Sequence, residues 1–372
     1  MSDGSVENIQ RSSRDLGELA EKLRVWLAGR LPDGAQPEIS ELASPSASGM
    51  SSETLLFDAT WSEAGERRSG AFVARLRPDP EDVPIFPVYD LEAQFRVMRL
   101  VGEHSDVPVP RGRWLELDEG HLGAPFLVMD KVSGRVPPDI MPYPMGSWLS
   151  EAKPADQGKL QDATVATLAS LHAIDVGSVD ASFLDLDLPG ATPLRRHLEH
   201  QRRYHGWVSG PRRFPVLERA FAWLEAHWPE DEGQTVISWG DSRIGNVLYD
   251  GFEPAAVLDW EMAGLGPREL DLGWLVFMHR FFQDIALQLG HPGMPDFLRR
   301  EDVAATYRAR SGVAPRALPF YEVYAALRHG IVMARIQARR VHFGEAEWPD
   351  DVDEVIPHRV SLERMLDTGD WR

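Results

Sequence analysis

Three polar residues in the second half of the chain have the types and spacing that phosphoryl transfer requires. Asp241 and Asn246 lie five positions apart in WGDSRIGN, and Asp259 follows thirteen residues later in LDWE. Mg²⁺ prefers oxygen ligands, and Asn246 and Asp259 offer an amide oxygen and a carboxylate to a metal-bound nucleotide. A second carboxylate can orient an attacking hydroxyl and accept its proton, and we predict this role for Asp241.

Short apolar runs predict the strands that position these three side chains. The predicted strands lie at 236–237, 247–249 and 255–258. Asp241 and Asn246 therefore lie on a loop between two strands, and Asp259 lies at the end of the third. Such loops are where a rigid scaffold commonly presents reactive groups.

Length, composition and charge narrow the class of protein. The 372 residues are enough for two lobes with separate cores, and 43% hydrophobic with 26% charged residues is ordinary for a globular protein. No apolar run approaches the roughly 20 residues of a membrane-spanning helix, and the polar N-terminus is unlike a signal peptide. We therefore expect a cytosolic protein, a monomer or homodimer, without membrane association.

The charge balance argues against nucleic-acid partners. The chain has 39 basic and 58 acidic residues, for a net charge of −19, which repels polyphosphate backbones. The same excess would attract a cationic substrate, or it serves solubility alone. The chain has no cysteine, which excludes disulfides and thiolate metal sites. It also has no HExxH motif, which argues against a metal-dependent hydrolase.

The residue pattern in the first half of the chain predicts a helix, a polar loop and two strands. Residues 1–14 are predicted to be disordered, and the apolar spacing from Leu16 to Leu27 predicts an amphipathic helix. The segment SPSASGMSS precedes two predicted strands, so it is either a hairpin connection or a loop whose backbone N–H groups bind phosphates. The residues predicted to contact phosphate are Gly49, Ser51 and Ser52.

The order of these features resembles the aminoglycoside phosphotransferase and choline kinase branch of the protein-kinase-like fold. WGDSRIGN and LDWE are similar to the HGDxxxxN and DWE signature of that branch, and GPRELDLGW is similar to its following segment. The resemblance implies an α+β, two-lobed fold, with a small antiparallel N-lobe at 15–132 and a larger, mostly helical C-lobe at 133–372. It also implies ATP and Mg²⁺ as cofactors.

The resemblance assigns a phosphate-binding base and an acid that pairs with it. Arg75 on the predicted strand GAFVARLRP stands where many members have Lys, and Arg can bind phosphate bidentately. Glu92 is the available acid on the next helix. Matching RVMRL to the pattern of the family places Gln94 rather than Glu92 at the acid position, so both residues remain candidates.

Further roles follow from the same resemblance. Arg243 stands where protein kinases have a Lys near the transferring phosphate, and we predict that it stabilises developing charge. Trp239 replaces the usual His before Gly-Asp, while His172 and Asp271 are predicted to support the catalytic loop. The backbone groups predicted to meet adenine belong to the hinge residues Asp130, Lys131 and Val132.

The acceptor remains open at the level of sequence. The chain resembles aminoglycoside kinases and also the kinase domains that accompany acyl-CoA dehydrogenases and act on hydroxyacyl-CoA. An acidic cleft would favour an aminoglycoside-like cation, whereas a basic groove would favour a CoA thioester. The arginines that could line such a groove are Arg195, Arg202 and Arg203. A nucleotide-binding protein without transfer activity is the third alternative, because Trp239, Arg75 and Glu92 depart from the pattern.

Overall fold

The computed structural model describes residues 14–44 and 53–371. Within them the strands are β1 Glu38–Ile39, β2 Glu53–Glu63, β3 Glu66–Leu76, β4 Gly112–Glu116, β5 Phe126–Asp130, β6 Thr235–Ser238, β7 Val247–Asp250, β8 Glu253–Val257 and β9 Gly264–Pro267. The helices are α1 Leu16–Ala28, α2 Leu91–His104, α3 Pro154–Leu171, α4 Pro193–Ser209, α5 Pro215–Ala226, α6 Glu269–Gln288, α7 Arg300–Ser311, α8 Leu318–His342 and α9 Arg359–Thr368. The loop residues Gly49, Ser51 and Ser52 lie outside the described ranges.

The chain divides into two compact units. One comprises Met1–Phe95 and Pro110–Lys131, and the other comprises Arg96–Val109 and Val132–Arg372. The division falls inside α2, so that helix contributes residues to both units. The first unit contains the five-stranded sheet and the second contains most of the helices, which confirms the predicted α+β class.

The first unit is built on an antiparallel sheet of strand order β1-β2-β3-β5-β4. The long hairpin of β2 and β3 turns at Ala64 and Gly65, which both have positive φ, of 52° and 80°. A two-residue turn of this kind matches the right-handed twist of the paired strands. The hairpin places Arg75 near the end of β3, opposite Thr54 on β2 and Leu127 on β5.

Helix α1 covers the core of this sheet. Asp15 caps its N-terminus by accepting the N–H of Glu18 at 2.8 Å, and the apolar face includes the buried Trp26. The indole N–H of Trp26 donates to the buried carboxylate of Glu116 on β4 at 2.9 Å. That bond, with the N–H of Asp118 and the Arg30 guanidinium, lowers the pKa of Glu116 to about 2 despite its burial.

The second unit displays the WGDSRIGN and LDWE segments between two small antiparallel sheets. Strand β6 pairs with β9, and β7 pairs with β8. The loop from Trp239 to Asn246 connects β6 to β7, and Asp259 follows β8. Helix α6 then packs on α8, where Gly273 lets the two helices approach: a Cβ built on Gly273 would lie 2.7 Å from the Cβ of Tyr321.

Some elements differ from the sequence predictions. The apolar run at 272–278 predicts a short helical segment, but α6 runs from Glu269 to Gln288 because the mixed polar and apolar residues after Met278, including the buried Phe281 and Phe282, continue the helix. The sequence predicts a helix from Asp296 to Arg310, and α7 begins four residues later, at Arg300. The short strands β1 and β9 were not predicted. No helix within 14–44 and 53–371 has the length and apolar character needed to cross a membrane.

Candidate active site

The Asp241 carboxylate is held from two sides. Its Oδ1 accepts the indole N–H of Trp274 on α6 at 2.7 Å, and its Oδ2 accepts the Asn246 side-chain N–H at 2.7 Å. Arg243 approaches the same carboxylate at 3.3 Å. Only 13% of the Asp241 side chain is exposed. The carboxylate is thus fixed in one orientation and remains partly accessible.

Arg243 lies among carboxylates. Its Nη1 forms an ion pair with Asp139, which the sequence did not single out, and its Nε lies beside Asp241. Burial alone would lower the pKa of Arg243, but the charges of Asp241, Asp139 and Asp259 together raise it above its usual value. Gly245 makes room for the pair, because a Cβ there would lie 2.5 Å from Oδ1 of Asp139. Arg243 therefore keeps its positive charge.

Asn246 and Asp259 have the donor chemistry that Mg²⁺ prefers. The side-chain nitrogen of Asn246 donates to both the carboxylate and the main-chain oxygen of Asp241, which leaves the amide oxygen without a hydrogen bond among the described residues. Asp259 adopts a left-handed conformation, with φ of 59°, two residues after the end of β8. The two segments are joined by the N–H of Leu258, which donates to the Asn246 main-chain carbonyl at 2.9 Å, and an unused amide oxygen and a carboxylate are donor types that fit a hard cation.

Trp239 connects the two loops. Its buried indole donates to the main-chain oxygens of Leu258 and Asp259, at 2.8 and 3.2 Å, and its ring lies 6.1 Å from that of Trp260. An indole N–H donor thus ties the Asp241 loop to the backbone that carries Asp259.

Asp271 supports the Asp241 loop from below. This fully buried carboxylate accepts the backbone N–H groups of Trp239 and Gly240, both at 2.8 Å, and the hydroxyl of Ser238 at 2.9 Å. Gly240 has φ of 89°, and a Cβ there would lie 2.0 Å from the Met262 carbonyl oxygen, so the turn requires glycine. Asp271 acts on the loop backbone, as predicted.

His172 completes the support. Its Nε2 lies 3.0 Å from the Asp271 carboxylate, and its Nδ1 lies 3.0 Å from the Tyr307 hydroxyl. Burial alone would raise the pKa of Asp271, but the hydrogen bonds from His172 and the two backbone N–H groups hold it below its ordinary value. The prediction that His172 is a supporting residue is confirmed.

In the first unit, Arg75 and Gln94 are buried and Glu92 is exposed. The side-chain nitrogen of Gln94 is enclosed and has no hydrogen-bond partner within residues 14–44 and 53–371. The buried position on α2 is therefore that of Gln94, which the family pattern aligns with the acid, whereas Glu92 faces solvent. Pairing of Arg75 with either residue stays a prediction.

The hinge residues have partly committed backbones. The N–H of Asp130 donates to the Arg111 carbonyl and that of Lys131 donates to the Ala71 carbonyl, both at 2.9 Å. These two donors are therefore occupied within the first unit. The adenine contact of residues 130–132 stays a prediction.

The three arginines that could line a basic groove have acidic partners. Arg195 and Arg202 pair with Glu225, and Arg203 pairs with Glu199. Their charges are thus offset on the helix surface and do not form an unpaired groove.

Two residues of the site had not been assigned roles from the sequence. Asp139 belongs to a Pro-rich loop more than a hundred positions before Arg243, and no local pattern marks it. Trp274 stands inside the recognised segment GPRELDLGW. An aromatic residue with one polar atom, three positions after Asp271 on the same helix, is the only signal that could have identified it.

Comparison with known proteins places the site in a family context. Residues 56–321 match the sequence profile described as the Phosphotransferase enzyme family. The chain is 23% identical over 273 residues to acyl-CoA dehydrogenase family member 11 of Rattus norvegicus, an alignment that covers 70% of this chain and 32% of that protein. The chain spans about a third or less of the length of the curated relatives that it matches.

Solved structures share the fold. A candidate aminoglycoside phosphotransferase from Ralstonia eutropha superposes with a TM-score of 0.65 at 23% identity, covering 93% of this chain and 96% of that chain. A thermostable aminoglycoside phosphotransferase APH(4)-Ia variant, solved with AMP-PNP and hygromycin B, gives 0.53 at 14% identity and covers 94% and 100%.

Proposed function

Because the chain belongs to the phosphotransferase enzyme family, we propose that it transfers the γ-phosphate of ATP to an alcohol hydroxyl of a small molecule. The observation that carries this proposal is the Asp241 carboxylate, held by Trp274 and Asn246 beside the charged Arg243. A fixed carboxylate next to a cation suits a reaction that depends on positioning and charge stabilisation.

The proposed chemistry follows from the positions of the side chains. The acceptor oxygen attacks the γ-phosphorus, the bond from that phosphorus to the bridging oxygen of ADP breaks, and Asp241 receives the hydroxyl proton. Arg243 stabilises the charge on the transferring group. Asn246 and Asp259 would hold Mg²⁺, which neutralises phosphate charge when bound. Arg75 is the proposed phosphate-binding base of the first unit.

A hydroxyacyl-CoA is a second candidate acceptor beside an aminoglycoside-like one. The match to acyl-CoA dehydrogenase family members favours it, because a kinase joined to such a dehydrogenase would share its thioester substrates. The chain matches only part of those proteins, so the acceptor has to be tested directly.

The test is a panel of acceptors incubated with MgATP, with phosphorylated product followed by mass. We expect transfer to at least one aminoglycoside, simple alcohol or hydroxyacyl-CoA, and loss of transfer when EDTA removes the metal. Nucleotide binding measured by calorimetry serves as the control for folding of the site. Binding of MgATP without transfer to any acceptor would support a nucleotide-binding protein without transfer activity and contradict the proposal.

The indole bond of Trp239 gives a specific prediction about Mg²⁺. Trp239→Phe keeps a buried ring but removes the N–H that holds the carbonyls of Leu258 and Asp259. Since a lost hydrogen bond of this kind costs about 1 kcal/mol, we expect the Mg²⁺ concentration for half-maximal activity to rise roughly fivefold. Calorimetric titration of Mg²⁺ in the presence of AMP-PNP provides a readout independent of turnover.

A matched variant separates metal-loop placement from general loss of an indole. Trp228→Phe removes a comparable bond, to Glu232 at 2.7 Å, at the end of α5. It should leave the Mg²⁺ requirement unchanged. Equal Mg²⁺ requirements for Trp239→Phe and the wild type would show that the indole does not position the metal loop.

A further inference from the structure

Arg328 on α8 is a buried cation with no hydrogen-bond or ion-pair partner among the described residues. Arg328 is only 6% exposed, and its guanidinium lies over the Trp274 ring, 4.6 Å from the ring centroid. The Nε is fully enclosed and makes no hydrogen bond. Among the described residues no carboxylate, hydroxyl or carbonyl pairs with Arg328, and its Nη atoms are not among the fully enclosed polar atoms.

Such a group is unusual because burying an unpaired charge is costly. Other arginines of this unit are compensated: Arg300 pairs with Glu322 and Asp370, and Arg268 donates to Tyr307 and Gln234. An unpaired guanidinium that is fixed in one position, and whose Nη atoms are not fully enclosed, has donors that can bind an anionic group of a ligand.

The positive charge of Arg328 lowers the pKa of two histidines on α4. Burial, and after it the positive charge of Arg328, lowers the pKa of His197 to about 4 and also lowers the pKa of His200. Both imidazoles are therefore neutral near pH 7. Neither imidazole therefore adds a positive charge beside Arg328.

The position of Arg328 links it to the reacting groups. The ring face of Trp274 lies under the guanidinium, and the indole N–H of the same side chain donates to Asp241. The close approach of α6 and α8 at Gly273, next in sequence to Trp274, sets this stack. A ligand group bound by Arg328 would lie on the same tryptophan as the carboxylate that receives the acceptor proton.

We propose that Arg328 binds an anionic group of the acceptor, a carboxylate or a phosphate ester, and so orients the acceptor hydroxyl toward Asp241. This inference rests on the proposed function and narrows its substrate class to alcohols that carry a negative charge. An aminoglycoside-like polycation would meet an unfavourable charge at this position. Arginine suits the role because its planar fork bonds two oxygens at once.

The test uses four alcohols that share one secondary hydroxyl. Each probe carries this hydroxyl on a short carbon chain that ends in a different group. The group is a carboxylate in 3-hydroxybutanoate, a CoA thioester with its phosphates in 3-hydroxybutanoyl-CoA, a neutral hydroxyl in 1,3-butanediol and an ammonium in 4-amino-2-butanol. We expect the wild type to prefer an anionic probe in kcat/KM by about ten- to a hundredfold, and Arg328→Gln to abolish that preference. Whether the carboxylate or the CoA probe is preferred identifies the source of the anion.

Binding must be measured separately from transfer. Calorimetry with AMP-PNP present should show an Arg328-dependent dissociation constant for the preferred anionic probe, with Arg328→Lys intermediate. The matched control is Arg335→Gln, which removes a cation stacked at 4.1 Å on Trp207, a ring with no bond to Asp241. It should leave both the binding and the preference unchanged.

The possible outcomes separate failure of the anion site at Arg328 from failure of the proposed kinase activity. If Arg328-dependent binding occurs but no probe or other alcohol is phosphorylated, the anion site stands and the kinase proposal fails. If alcohols are phosphorylated with equal kcat/KM in the wild type and Arg328→Gln, whatever their charge, the kinase proposal stands and the anion site is rejected.

Discussion

Replacing Asp241 with asparagine is expected to lower kcat about a hundred- to ten-thousandfold, the range that general-base groups contribute, while MgATP still binds. The substitution is nearly isosteric, so an oxygen remains for the N–H of Trp274. The carboxylate that accepts a proton is lost, and with it one of the charges that face Arg243. The measurement is phosphoryl transfer to the best acceptor, with nucleotide affinity determined in parallel.

The control for this experiment is Asp296→Asn. Asp296 is 89% exposed by side chain and forms a surface pair with Arg299, so its replacement should change neither kcat nor nucleotide affinity. Full activity in Asp241→Asn would show that another group accepts the proton.

Replacing Asp271 with alanine is expected to have the largest effect on stability, lowering the free energy of unfolding by about 3–5 kcal/mol. The carboxylate is fully buried, and its removal leaves the N–H groups of Trp239 and Gly240, and His172, without their partner. Urea unfolding measures the loss. Asp284→Ala, on the same helix but partly exposed and bonded to Ser361 and Trp371, should cost clearly less.

The same residue gives stability a pH dependence of known sign. The hydrogen bonds to Asp271 hold its folded pKa below the value in the unfolded chain. Its contribution is therefore fully present above the unfolded pKa, about 3.9, and is lost as pH falls through the lower folded pKa. Asp271→Asn should flatten this part of the acid unfolding profile. An unchanged profile would show that other carboxylates dominate.

The fold class could be predicted because its signals are local. Alternating apolar residues mark β2 and β3, and helical spacing marks α1 and α8. Strand β9 escaped prediction because its sequence, GLGP, has low strand propensity, and pairing with β6 forms it. Tertiary pairing, which one sequence does not reveal, decided this element.

The candidate site was predictable only where its residues are neighbours in sequence. The spacing of Asp241, Asn246 and Asp259 marked the loop, although their catalytic and metal-binding roles stay predictions. Asp139 could not be found because its partner Arg243 is distant in the chain. Arg328 could not be found either, because an arginine on an amphipathic helix normally faces solvent or an acid, and only packing reveals that this one is buried and has no acidic partner in the described part of the chain.

The Trp274 side chain joins Arg328 to Asp241 through a rigid ring, with the cation on its face and the carboxylate at its nitrogen. If Arg328 and Asp241 both contact the acceptor, the rigid ring between them fixes the distance between those two contacts. It would admit acceptors whose hydroxyl and charged group are separated by a fixed number of bonds and reject shorter or longer homologues. Regiochemistry and chain-length preference would then both be set by the dimensions of one indole.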